Sequence, residues 1–438
     1  MKNGMQHGKY MAWFPNGDIA KEGNFFEGKE DGKFLIYYEG KKNKAEENYS
    51  RGKKNGCWKY WYNNGKPAQE TFFKEDKADS TWTGWFENGN IKSVENYTLD
   101  KKTGNWIYYY ENGQKESECA FKNNLPEGKY TGWYKNGNKQ KEGVYKNGKQ
   151  DGLWKEWYSN NNPKEEIVYQ SQEVLLKNLW LETGEQIIKD GSGKLTTVYN
   201  NGKKKGEGSY KDGRLDGDWT FYIPTGEKDF VAHYTNGKIN GSYTSWYKNG
   251  TTKSEGNFLN DKKNGEWKWY KENGELEMQG FLTNNLRSDK WIYWFSSTRK
   301  ESEGFYKNDL QDSSWIYWYR DGSKWKQGNF KEGKKEGLWT IWFENGQKLQ
   351  EGNYKNGKED GVWLEWYNTG ALKDEGNFKA GLMDGSWKGW LPNKIPIYEG
   401  FYKNNFKDGE WKYYYEARKL KEQVLDKFVN KDGRWIAW

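Results

Sequence analysis

Two histidines, two cysteines and 63 aspartates and glutamates form the chain's main supply of acids, bases, thiol nucleophiles and metal-binding groups. His7 and His233 are too few to build histidine triads or histidine metal sites. Cys57 and Cys119 cannot make a disulfide framework. The carboxylates recur along the chain in Asp-Gly and Glu-Gly pairs. A glycosidase-like acid pair is therefore a weaker reading than turn and ladder residues. The glycine-rich stretch Asn201-Gly202-Lys203-Lys204-Lys205-Gly206 has the look of a phosphate loop, but it does not follow a strand and open a helix. This inventory implies a chain that is not an enzyme, with no cofactor and no metal.

The remaining chemistry is aromatic, carried by 28 Trp, 33 Tyr and 20 Phe. An indole is a flat apolar surface with one N–H, and it is the side chain most enriched at binding hot spots. One column of rings reads Trp13, Tyr37, Trp61, Trp85, Tyr109, Trp133 and Trp157, then Tyr222, Trp246, Tyr270, Trp294, Trp318, Trp342, Trp366, Trp390, Tyr414 and Trp438. Its tryptophans from Trp13 to Trp390 are the candidate partner-binding residues. The competing reading is that each ring only shields its own strand and the neighbouring lysine stems.

The elements that must position this column follow from a second one, three residues earlier. An aromatic after Gly-x recurs at Tyr10, Phe34, Trp58, Trp82, Trp106, Tyr130 and Trp154, every 24 residues. The row resumes at Leu195, its one non-aromatic occupant, and continues as Trp219, Tyr243, Trp267, Trp291, Trp315, Trp339, Trp363, Trp387, Trp411 and Trp435 at the same spacing. We call these residues anchors. Between the two arrays lies a degenerate unit around Trp180 and Gly184. Within a unit, six aromatic-rich residues from Trp339 run into Asn345-Gly346, a hairpin signal that predicts a two-residue type I′ turn. A second strand follows, and Asn356 to Gly361 then reads as a longer turn into the next unit.

Counting through a two-residue loop sets Trp339 opposite Gly352, Trp363 opposite Gly376 and Trp58 opposite Thr71. It also sets Tyr354 opposite Gly337 and Phe378 opposite Gly361, so rings are expected to cover glycine backbone. The same register pairs Lys59 with Glu70, Lys155 with Glu166 and Lys388 with Glu399 on the other face. The expected fold is therefore all-β: an elongated, twisted single-layer antiparallel sheet of about nineteen stacked hairpins. Residues 1–167 form an N-terminal array, 168–192 a degenerate repeat and expected hinge, and 193–438 a C-terminal array. Only 416–428 shows a weak helical period. Open strand edges at the two ends predict end-to-end self-association, unless a partner or 416–428 covers the edge.

Aromatics make up 18% of the chain against 33% for all hydrophobics, so rings must supply most of the buried surface and disorder is excluded. The net charge of +8 is spread without a basic block, which argues against a dedicated nucleic-acid protein. No 18-residue apolar stretch occurs, and MKNGMQHGKY lacks the apolar run of a signal peptide, so a cytoplasmic protein is expected.

The phrases EGNYKNGKEDGVWLEWYNTG (351–370), EGVYKNGKQDGLWKEWYSNN (142–161) and QGNFKEGKKEGLWTIWFENG (327–346) resemble MORN repeats, most closely the bacterial MORN-variant repeats of YwqK-type, antitoxin-like proteins. That resemblance implies a sheet of stacked hairpins with an aromatic groove, used for protein or membrane contacts and self-association, and no catalysis. Segment 168–192, the tail after Arg418, and Ser80, Asp289 and Ser313 in place of the usual glycine depart from the pattern. The leading expectation is a scaffold that binds a protein partner along its aromatic-lined sheet, including an antitoxin-like or inhibitory role. The alternatives are a carbohydrate or cell-wall-binding module and, less favoured, binding to a membrane surface or single-stranded nucleic acid.

Overall fold

The structure is a computed structural model that describes residues 1, 4–171, 173–414 and 419–426. The described residues form forty strands of one open antiparallel sheet and no helix. By contact density the chain divides into two compact units. The first is Met1–Leu195 with Ser209–Arg214, and the second is Thr196–Gly208 with Leu215–Trp438.

In each unit the 24-residue period is one hairpin, and the second strand of each hairpin pairs with the first strand of the next. In the second unit Lys334–Trp342 pairs with Lys348–Lys355, which pairs with Lys358–Trp366. In the first unit Leu125–Trp133 pairs with Lys139–Lys146, which pairs with Lys149–Trp157. The expected register holds. Trp339 stands opposite Gly352, Trp363 opposite Gly376, Trp58 opposite Thr71, Tyr354 opposite Gly337 and Phe378 opposite Gly361. The ladder also continues through the degenerate unit, where Pro163–Gln170 pairs with Glu173–Trp180 and that strand with Gln186–Lys189. Within 416–428, where a weak helical period stood beside the all-β expectation, the described residues Leu420–Asp426 form a strand on Phe406–Tyr414. Trp435 and Trp438 lie outside the described residues.

The two turns exchange the geometries expected of them. Asn356 and Gly357 both have positive φ, 51° and 82°, and join Lys355 directly to Lys358, which is the two-residue type I′ turn. At Asn345-Gly346 only the glycine is left-handed, with φ 82°. There the Gly346 N–H donates to the Phe343 carbonyl, the Phe343 N–H to the Gln347 carbonyl, and the Gln347 N–H to Asn345 Oδ1 at 3.0 Å. This is a three-residue loop closed by a left-handed glycine, and it shifts the pairing by one residue. A bulge that skips Leu349 between Ile341 and Trp342 shifts it back, so the register at Trp339 is unchanged.

Two classes of glycine result. A Cβ built on Gly352 would lie 2.1 Å from the ring of Trp363, and one on Gly328 2.2 Å from that of Trp339, so these glycines make room for the anchor of the following hairpin. Gly337 has nothing within 4 Å and a φ of +70°, so its role is conformational and the Tyr354 ring does not cover it. Ser80, Asp289 and Ser313 occupy this second class of position and keep positive φ at 59°, 55° and 56°.

The anchors form the core. Phe34, Trp58, Trp106 and Trp154 in the first unit, and Trp267, Trp315, Trp339 and Trp411 in the second, are almost fully buried. Each indole N–H is used: Trp339 Nε1 donates to the Asn329 carbonyl at 3.0 Å and Trp58 Nε1 to the Asn48 carbonyl at 2.8 Å. Second-strand rings stand edge-on between successive anchors, with Tyr354 at 6.1 Å from Trp339 and 5.0 Å from Trp363. Burying an indole contributes roughly 5 kcal/mol as an upper bound, and each edge-on contact adds about 1 kcal/mol. Interlocked rings thus replace the aliphatic core that the composition lacks.

Candidate interaction surface

Strand alternation places the column three residues beyond each anchor on the opposite face from the buried rings. Trp61, Trp85, Trp133, Trp157, Trp246, Trp294, Trp318, Trp342, Trp366 and Trp390 are half-buried there, and Trp13 in the first hairpin is 58% exposed. The hairpin tips hold these residues firmly. A tyrosine of the preceding hairpin donates to the backbone carbonyl of the column residue, as Tyr319 does to Trp342 at 2.8 Å and Tyr38 to Trp61 at 3.0 Å.

A lysine eighteen residues upstream roofs several of the indoles. Lys115, Lys139, Lys228, Lys300, Lys324 and Lys348 place Nζ 5.0–5.7 Å from the ring centres of Trp133, Trp157, Trp246, Trp318, Trp342 and Trp366. In four of the six a carboxylate three residues along fixes the lysine, Lys115 to Glu118 and Lys139 to Glu142 at 2.8 Å and Lys300 to Glu303 and Lys348 to Glu351 at 2.7 Å, while Lys324 donates to the amide oxygen of Gln327 at 2.9 Å. Cation–π contacts of this kind contribute about 0.5–1 kcal/mol at exposed sites. Their larger effect is geometric, since each indole keeps one flank against its lysine and offers the rest outward.

Tyrosine takes the column place at Tyr37, Tyr109, Tyr222, Tyr270 and Tyr414. The hydroxyls of Tyr37, Tyr270 and Tyr414 donate to glutamates on the same face, at 2.7 Å to Glu22, 2.6 Å to Glu255 and 2.6 Å to Glu399, and that of Tyr222 donates to Glu207. Burial first, then the carboxylate, pushes Tyr37 and Tyr270 up to about 12; for Tyr222 and Tyr414, also at about 12, the carboxylate contact is the larger cause. Of the charge pairs expected here, Lys59–Glu70 closes at 3.7 Å and Lys155–Glu166 at 3.0 Å. Lys388 stands opposite Glu399, which takes the Tyr414 hydroxyl instead.

Sequence reasoning missed a second row on this face. In the second unit Phe281, Phe305, Leu338, Val362 and Phe401 are 41–56% exposed. They precede an anchor or follow a second-strand glycine, and the two-residue period that placed the column would have placed them beside it. It also missed the rings two residues beyond the anchors, which pack flat on the core face: Trp269 lies 5.7 Å from Trp267 and 5.4 Å from Trp291. Lys263 sits 4.2 Å over Trp267 and Lys335 4.7 Å over Trp339, and burial holds both ammonium groups below the usual lysine range. Cys57 and Cys119 are free thiols, and among the described residues no cluster of His, Cys, Asp and Glu is arranged to hold a metal ion.

The degenerate unit has its own local structure. Trp180 takes the column place and accepts the Tyr158 hydroxyl at its carbonyl, at 3.0 Å. One residue is lost before it, and Leu176 stands opposite Ile167, where an anchor would be.

Ten segments match the model of the MORN repeat variant: residues 6–26, 54–75, 78–98, 102–123, 126–147, 150–171, 239–260, 263–284, 335–356 and 359–380. The comparison with curated proteins gives no match. Among solved structures, "Crystal Structure of TcdB2-TccC3-Cdc42" aligns with 95% of the chain at 8% identity and a TM-score of 0.15. "Structure of Photorhabdus luminescens Tc holotoxin pore, Mutation TccC3-D651A" aligns with 95% at 9% identity and a TM-score of 0.16. The chain spans about 30% of the length of each, and at those TM-scores the likeness carries no argument. The hairpin period and the ring ladder make this chain a β-hairpin repeat protein, ten segments of which match the MORN repeat variant.

Proposed function

We propose that this chain is a non-catalytic scaffold that binds a protein partner along the face carrying the tryptophan column. The observation behind this reading is the pairing of two apolar rows on one face of the second unit. Half-buried Trp294, Trp318, Trp342, Trp366 and Trp390 run beside exposed Phe281, Phe305, Leu338, Val362 and Phe401. Held indoles lose little side-chain freedom on binding, and aromatic anchors next to aliphatic surface are what protein hot spots are made of. The lysine roofs add a mild preference for acidic partner surface. An antitoxin-like role, in which the bound partner is inhibited, is the specific form of this proposal suggested by the sequence phrases at 142–161, 327–346 and 351–370.

The test is affinity capture from the native source with the wild-type chain and with Trp318→Ala, Trp342→Ala and Trp366→Ala combined, followed by reconstitution with the purified partner. The reading expects a purified protein whose binding falls by about 10²-fold or more in the triple variant and changes little with salt. Retained binding in the triple variant overturns it. So does a steep salt dependence with lipid vesicles or single-stranded nucleic acid as the only ligands.

A further inference from the structure

Two consecutive places in the anchor row of the first unit are leucine: Leu176, opposite Ile167, and Leu195, 24 residues before Trp219. Leucine has neither the reach nor the breadth of an indole, so the row of rings that ends at Trp154 leaves a hollow. It is a cavity of about 340 Å³ lined by Ile167, Leu176, Leu179, Leu195, Tyr210 and Glu165, among others, all within the first unit. Its lining side chains are aliphatic apart from Tyr210 and Glu165, and Glu165 alone among them carries a charge.

Glu165 stands directly across the ladder from Glu156, a like-charge pair that costs stability. Glu156 already draws Lys141 to 2.7 Å and Lys164 to 3.1 Å. Glu165 is left beside a carboxylate whose charge both nearby lysines share. Burial, and next the repulsion from Glu156, hold the Glu165 carboxyl above its usual range. A cation entering the cavity would offset that penalty, whereas an anion by repulsion and a purely apolar guest by excluding water would both increase it.

We propose that this hollow receives a lysine side chain of the protein partner, its methylene stem on Ile167, Leu176 and Leu195 and its ammonium against Glu165. Lysine fits both halves of the site, since its stem covers apolar surface while its head seeks a carboxylate. This inference rests on the protein-partner reading above and adds a second contact, in the first unit, whereas Trp318, Trp342 and Trp366 belong to the second.

The probe is N-acetyl-lysine N′-methylamide, with the norleucine analogue as the same stem without its charge. Binding to the full chain is read by saturation-transfer NMR. The lysine compound is expected to take saturation at its side-chain methylenes and to bind about tenfold more tightly than norleucine. Glu165→Gln should erase that preference. Leu195→Trp, which restores the ring found at this position in other repeats, should fill the hollow and abolish binding of both probes. Trp318→Ala, Trp342→Ala and Trp366→Ala should leave the lysine signal intact, so failure of the column reading and failure of this site are distinguishable. Equal binding of the two probes, no saturation transfer to lysine at tens of millimolar, or full binding by Leu195→Trp would overturn the proposal.

Discussion

Gly304→Ala is a severe test of how the hairpins are joined. A Cβ at Gly304 would lie 2.2 Å from Cδ2 and 2.3 Å from Cε2 of Trp315, whereas carbon atoms rest at about 3.5–4 Å. The indole must retreat by more than about 1 Å, yet Trp315 is 1% exposed and has no free space to enter. Its Nε1 bond to the Phe305 carbonyl, 2.9 Å long, and its edge-on contact with Tyr306 at 5.1 Å would both be disturbed. Overpacking costs about 1–3 kcal/mol and the lost hydrogen bond about 1 kcal/mol, so the variant should lose roughly 3 kcal/mol. Gly337→Ala is the control: nothing lies within 4 Å, and only the strain of its φ of +70° remains, about 1–2 kcal/mol. Hydrogen exchange by mass spectrometry suits a repeat array, where opening is local. Amides of Arg299–Lys307 and Leu310–Trp318 should exchange about a hundredfold faster in Gly304→Ala. In Gly337→Ala, those of Lys334–Trp342 should accelerate clearly less, by about tenfold. If Gly304→Ala costs no more than Gly337→Ala, the ring does not rest on the glycine and the core is not built on ring-over-glycine contacts.

The non-glycine residues at left-handed positions predict the reverse effect. Ser80→Gly, Asp289→Gly and Ser313→Gly, at φ of 59°, 55° and 56°, should each stabilise the chain by up to about 1 kcal/mol in urea unfolding; destabilisation by all three would refute the strain argument. Alkaline titration tests the column tyrosines. Tyr37, Tyr222, Tyr270 and Tyr414 are pushed up to about 12, so the fold holds their protons more tightly than the unfolded chain does. Their contribution is complete below about pH 10 and is lost as pH rises toward 12. Tyrosinate absorbance and circular dichroism should therefore change together above about pH 10. Ionisation of every tyrosine near pH 10 with the fold intact would contradict those contacts.

Much of the fold was legible because its two periods are arithmetic. Counting twenty-four residues per hairpin and two per alternation of faces is enough to set Trp339 against Gly352 and Lys155 against Glu166. The turns were exchanged because Asn-Gly occurs in both, at Asn345-Gly346 and Asn356-Gly357, and the dipeptide does not report loop length. The deciding feature, a bulge at Leu349 that cancels the longer loop, leaves the register downstream unaltered and so leaves no trace in the pattern. The lysine roofs, such as Lys324 over Trp342, join residues far apart in sequence through hairpin stacking, which a single repeat does not reveal. The hollow was half visible: Leu195 broke the aromatic row openly, while Leu176 was hidden by the lost residue that put it out of step.

Each regular repeat sends its anchor ring, most often an indole, inward and the ring three residues later outward. Hydroxyl-radical footprinting with mass spectrometry measures this at every tryptophan. Oxidation is expected to be slow at Trp58, Trp106, Trp154, Trp267, Trp315 and Trp339, several-fold faster at Trp61, Trp157, Trp318 and Trp342, and fastest at Trp13. Equal rates for the two sets, or faster oxidation of the first set, would contradict this arrangement.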